Sequence, residues 1–169
     1  MILVVLSAAV ALALSFVIAD RALKFGPAVG ARFLERGNAI PPSNVKVTAS
    51  NLAEWCEDLQ NAMAKEGYVR VVLPLDVFFL VSFGAFLAAG AVELANGLML
   101  PWWLYWIIPG IYMCADFAED ALIAATLRAR DVHSTFRPMR CATKLKMLFA
   151  LLSFLQLALV GGYALRKYL

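Results

Sequence analysis

Asp116, Glu119 and Asp120 fall within the stretch CADFAED, residues 114–120, inside a run that is otherwise almost wholly apolar. Their spacing is i, i+3, i+4, so on a helix all three share one face. Carboxylates so placed can do three kinds of work. They can pair with bases and pin neighbouring helices together. They can bind a ligand or handle a proton, because packed carboxylates repel one another and one of them can hold a proton. They can also offer hard oxygen ligands to Mg²⁺ or Mn²⁺. D-x-x-E-D superficially resembles the aspartate-rich motifs of membrane prenyl- and phospho-transferases. Those enzymes carry a second acidic motif and more helices. The one further acid inside an apolar run here is Asp76, and the bases at hand are Lys144 and Lys146. The candidate polar cluster is therefore Asp76, Asp116, Glu119, Asp120 and Lys144, with its role, structural or binding, left open.

Little else in the chain could carry chemistry. His133 is the single histidine, and Cys56, Cys114 and Cys141 show no C-x-x-C spacing. A zinc, haem or iron–sulfur site within this chain is not expected. No cofactor motif is present, and we expect no cofactor and no bound metal. Nothing suggests a nucleic-acid partner.

The elements that must position these acids are long and apolar. Of the 169 residues, 63% are hydrophobic and 16% are charged, and the mean hydropathy is +0.77. A soluble domain has about 45–50% apolar and about 25% charged residues. The excess falls in four blocks, residues 1–19, 71–92, 101–127 and 143–165. Each is close to or beyond the roughly 20 residues of helix that cross a bilayer core. The first block lacks the basic start and the A-x-A site of a signal peptide, so we read it as a span. The expected fold is all-α: a polytopic membrane protein with a four-helix bundle in one domain.

Between the first two blocks lies a polar segment, residues 20–70. NAIPPSN (38–44) breaks it, because no helix runs through two adjacent prolines flanked by asparagine and serine. Before the break, Phe25, Val29 and Phe33 recur at helical spacing. After it, residues 51–66 predict an amphipathic helix. Asn51 and Glu54 have capping-box spacing, Leu52, Trp55, Cys56, Leu59 and Met63 share one face, and Gly67 ends it. Its polar face is acidic, which suits packing on the bundle or on a partner better than binding to anionic lipid. We expect it to form a helical cap.

Four spans put both termini on one side. Arg166 and Lys167 lie there, while the other 13 of the 15 basic residues lie in segments 20–70 and 128–146. Basic residues in short loops stay cytoplasmic. The expected orientation in a bacterial inner membrane is N-out and C-out, with both basic segments cytoplasmic and Cys56 and Cys141 as free thiols. Trp102, Trp103, Tyr105 and Trp106 would sit at the outer interface. At 1.5 Å rise per residue, Asp120, Glu119 and Asp116 would lie about 10, 12 and 16 Å deep from the cytoplasmic end, and Asp76 about 8 Å. Acids at that depth should face the bundle.

The pieces PLDVFFLVSFGAFL, CADFAEDALIAATL and KLKMLFALLSFLQLALVGG together resemble a loose family of small, uncharacterised bacterial inner-membrane proteins with four helices. The shared pattern is L-D-x-x-F, then D-x-x-E-(N/D), then a lysine opening the last helix. Here these are Asp76 and Phe79, then Asp116, Glu119 and Asp120, then Lys144 or Lys146. The resemblance covers about half of the chain, with Asp120 where Asn is expected. It implies that these residues form one constellation and supplies no activity. Small multidrug transporters have four helices too, but need a carboxylate in the first, which is absent here.

Two functions follow as expectations. One is an accessory or assembly subunit that contacts a larger membrane complex or a second copy of itself. The other is a small lipid-active enzyme or a proton-coupled binding protein that uses the intramembrane carboxylates. Beyond the bilayer itself, the expected partner is another membrane protein or the same chain.

Overall fold

The computed structural model describes residues 2–24, 48–95, 101–128 and 131–168. The described residues are helical, with no strand among them. Among the described residues there are six α-helices: α1 Ile2–Lys24, α2 Ala49–Glu57, α3 Ala62–Gly67, α4 Leu73–Leu94, α5 Leu104–Arg128 and α6 Val132–Tyr168. The proposed turn at 38–44 and the stripe of Phe25, Val29 and Phe33 lie outside the described residues.

Among the described residues, three stretches are long and apolar enough to cross a membrane: Ile2–Arg21, Leu59–Leu94 and Val132–Arg166. α5 is also long, at 25 residues, but its three acids in five positions keep it out of that set on composition. The expectation of four spans thus meets three helices that qualify on length and apolarity alone, and the exception is the helix that carries the acids.

Two hydrophobic clusters give the helix directions. One joins Ile18 of α1, Leu52 and Trp55 of α2, Leu73 of α4, Ile123 and Leu127 of α5, and Val132 and Met139 of α6. The other joins Ala91 and Ala95 at the end of α4, Tyr105 at the start of α5 and Val160 late in α6. α1, α4, α5 and α6 therefore run antiparallel in turn, with α4, α5 and α6 packed on each other and α1 laid against α4.

The expected amphipathic helix 51–66 is in two pieces. α2 opens at Ala49, before Asn51, so Asn51 is not the cap. The break comes at Asp58, whose backbone is extended (φ −66°, ψ 118°) and whose carboxylate accepts from the Gln60 N–H at 2.9 Å. An aspartate that bonds its own backbone two residues on competes with the helix ladder. The carbonyls near the break find side-chain donors: Asn61 Nδ2 bonds the Trp55 oxygen at 3.0 Å, and Lys65 Nζ bonds the Cys56 oxygen. The break also ends the apolar face. Leu52 and Trp55 are buried, whereas Leu59 and Met63 are 88% and 86% exposed.

Gly67 does not end the second piece. The chain continues through a single π turn, Tyr68–Val72, into α4. Pro74 supplies the reason. It has no N–H for the Arg70 carbonyl, and its ring crowds that turn. The wider turn accommodates this, and the Leu73 N–H bonds back to Tyr68 instead.

The segment expected as a loop, 128–146, is helical from Val132 on. α6 runs for 37 residues, about 55 Å, well beyond the roughly 30 Å of a bilayer core. Asp131 caps it by accepting from the His133 N–H at 3.0 Å. Pro138 lies inside this helix and does not stop it. The first turns of α6 (Val132, Met139) and the π turn before α4 (Tyr68, Val72) pack with α2 (Leu52, Trp55) in the first cluster.

Candidate functional site

Asp116, Glu119 and Asp120 occupy the buried stripe of α5, in line with Tyr105, Pro109 and Tyr112 before them and Ile123 and Thr126 after. Helical periodicity alone turns the acids inward. Only 1%, 4% and 5% of their surface is exposed. Asp76 reaches them from α4, half-buried. One carboxylate oxygen from each of Asp76, Asp116 and Asp120 lies within 4.8 Å of the others.

The base that answers them comes from α6, and it is Lys146. Its Nζ stands 2.5 Å from Asp116 Oδ1 and 2.8 Å from Glu119 Oε2. The shorter contact is poorly aligned as a hydrogen bond and leaves Asp116 Oδ1 without a formal partner of that kind. At that separation charge attraction decides, so we treat it as an ion pair. Lys144, the expected partner, is exposed on the far side of the helix. Two residues of helix turn a side chain by about 200°, given 3.6 residues per turn. Lys144 and Lys146 therefore cannot serve the same face, and only Lys146 is on the inner one.

Thr143, which sequence reasoning missed, completes the contacts of Glu119. Its hydroxyl lies 2.5 Å from Glu119 Oε1 and 3.0 Å from the Met139 carbonyl. Its spacing from Lys146, i and i+3, was the available signal. Tyr112 donates its hydroxyl to Asp116 from one turn earlier, and Tyr68 lies beside Asp76 and Asp120. Asp76 and Asp120 are within hydrogen-bond reach of each other. Asp120 Oδ2 is buried and has no hydrogen-bond partner.

Among the described residues, four carboxylates thus meet one ammonium. Glu119 is fully engaged by Lys146 and Thr143, and Asp116 is shared between Lys146 and Tyr112. Asp76 and Asp120 have chiefly each other. Two carboxyl groups this close can share a proton, and three carboxylate oxygens within 4.8 Å of one another can also share a cation. The arrangement can therefore hold positive charge in a buried place.

Above the acids, Phe83 stacks on Phe79 (5.4 Å between centroids) and meets Tyr112 (5.9 Å) and Phe154 (5.8 Å). This aromatic layer joins α4, α5 and α6 and seals the cluster on that side. Further along, Gln156 Nε2 of α6 donates to the Tyr105 carbonyl at 3.0 Å. That carbonyl is the one orphaned by Pro109, which has no N–H to return to residue 105.

Several expectations about the rest of the chain are adjusted. Tyr105 is 6% exposed and belongs to the core, while Trp102 and Trp103 are exposed. Ala118, Ala121 and Ala125 are exposed on the outward face of α5. Gly84 is at a helix contact: a Cβ there would fall 2.3 Å from the Met113 sulfur. Cys56, Cys114 and Cys141 form no disulfide among the described residues.

No protein family, characterised protein or solved structure matches this chain in comparison with known proteins.

Proposed function

We propose that this chain is an integral membrane protein of a bacterial inner membrane that binds a proton or a small cation at its buried carboxylates. It spans the membrane four times, N-out and C-out, and α5 crosses with its acids turned inward at the level of Lys146, where the uncharged stretch of α6 begins. One observation carries the reading: the carboxylates of Asp76, Asp116 and Asp120 converge within 4.8 Å, and among the described residues a single ammonium, Lys146, answers Asp116 and Glu119. Uncompensated charge in an apolar setting is costly, so such a cluster holds a proton or takes a cation. Asp120, with its unpartnered oxygen, and Asp76 opposite it are the binding groups. Lys146 and Glu119 set the frame.

Infrared spectroscopy of the protein in lipid at neutral pH tests this. A protonated-carboxyl band that disappears in Asp120→Asn supports proton binding. A thermal shift with Na⁺, Mg²⁺ or Ca²⁺ that is lost in the same variant supports a cation. Neither signal would leave the cluster a plain structural clasp.

An accessory or assembly subunit is the second reading, favoured by the outward face of α5. Cys114, Ala118, Ala121 and Ala125 are exposed there, and small residues are what allow another helix to approach closely. Cys114 offers the test. Cross-linking through it in membranes gives a covalent dimer if a second copy seats on this face, and Ala121→Leu abolishes that dimer.

A further inference from the structure

Arg137, Arg140 and Lys144 lie at i, i+3 and i+7 on α6. With Phe136 and Cys141 they line an open groove of about 310 Å³. Arg137 and Lys144 are exposed and make no ion pair among the described residues. The stripe continues along the helix as Leu148, Leu151 and Leu155, all three about half exposed. One helical face thus reads as a basic head followed by an apolar track.

The position of this face matters as much as its chemistry. From Met147 to Leu165 the helix carries no charged residue. That length is about 28 Å, close to the roughly 30 Å hydrocarbon core. Lys144 then lies about 5 Å outside the core boundary, Arg140 about 11 Å and Arg137 about 15 Å. Lys144 is at the level of lipid phosphates, with Arg140 and Arg137 about one and two turns beyond it on the same face.

We propose that Arg137, Arg140 and Lys144 hold the phosphate headgroup of an anionic phospholipid, whose acyl chain lies along Leu148, Leu151 and Leu155. The site rests on the membrane reading of α6 and is independent of the acid cluster, which lies on the opposite face. A freely diffusing phosphate would use the cations but not the leucine track. The continuity of the two favours the lipid. Basic positions at a membrane surface each contribute about fivefold in affinity for anionic lipid.

The test uses the full chain, delipidated in neutral detergent and titrated with phosphatidylglycerol, phosphatidylcholine, glycerol phosphate or inorganic phosphate. Native mass spectrometry reads the bound species. We expect phosphatidylglycerol to bind far more tightly than phosphatidylcholine and both soluble phosphates to bind weakly. Arg137→Gln/Arg140→Gln/Lys144→Gln loses about 100-fold, and Lys144→Gln alone about fivefold. Arg166→Gln, at the other end of α6, changes nothing. If the triple variant does not fold, the single exposed change Lys144→Gln decides. Equal binding of both lipids, equal binding by wild type and Lys144→Gln, or soluble phosphate binding as tightly as lipid overturns the proposal. The infrared signature of the acid cluster is unaffected in either case.

Discussion

The two ends of the bundle are held by different physics. At the cap end, α4, α5 and α6 meet through Asp76, Asp116, Glu119, Asp120, Thr143 and Lys146. At the other end the same helices meet through Ala91, Ala95, Tyr105 and Val160, with Gly90 against Leu157 and one hydrogen bond from Gln156. Close packing of small residues suffices to join helices in an apolar medium. The charged end is therefore not required for assembly as such. A cluster with more acid than base adds desolvation cost that small residues avoid. The contrast is the physical reason for reading the acids as a binding site rather than as a fastening.

The largest expected effect comes from removing Lys146, the one ammonium at the cluster among the described residues. Lys146→Met leaves four buried acids facing one another and should cost about 3–5 kcal/mol, read as unfolding in detergent. Lys144→Met, two residues away but exposed, should stay within about 0.5 kcal/mol. Equal losses from the two would erase the distinction between the helix faces.

At the packed end, Gly90→Leu sharpens the comparison. A Cβ there already meets Leu157 at 3.2 Å. The added bulk should cost about 1–3 kcal/mol, measured the same way. Within the cluster, Asp120→Asn should remain within about 1 kcal/mol of wild type while the infrared band is lost, since Asn mimics a protonated Asp. Glu119→Gln should be the worse of the two, because it removes the partner of both Lys146 and Thr143.

The smallest effect is the most specific. Gln156→Leu strips the Tyr105 carbonyl of its donor and should cost roughly 0.6 kcal/mol, the mean for hydrogen bonds between membrane helices. In a Pro109→Ala background the backbone N–H of residue 109 takes that role, and the same Gln156→Leu change should then cost almost nothing. A double-mutant cycle without coupling would show that the two residues do not share the carbonyl.

The acids were legible as a set because three of them sit at i, i+3, i+4 within an apolar block. That they face inward follows from the cost of facing lipid. The basic partner was legible only as a pair, Lys144 or Lys146. The segment 128–146 concealed its own helix, because its charges and Pro138 read as loop. Asp131, the cap, was the local signal that outweighs them. The split at Asp58 was hidden for the opposite reason: the apolar spacing runs on through Leu59 and Met63, while a single side chain bonding its own backbone ends the helix.

By itself the sequence determined the helical class, the apolar blocks and the acidic face, because hydropathy and 3.6-residue periodicity are local properties of the chain. Only the tertiary structure decided which lysine enters the cluster, that Thr143 joins it, and that Gln156 serves the carbonyl Pro109 leaves free. It also decided that Ala118, Ala121 and Ala125 face outward. Each depends on the rotation of one helix about its axis relative to another. That rotation is set by packing across residues far apart in the chain, and no local pattern encodes it.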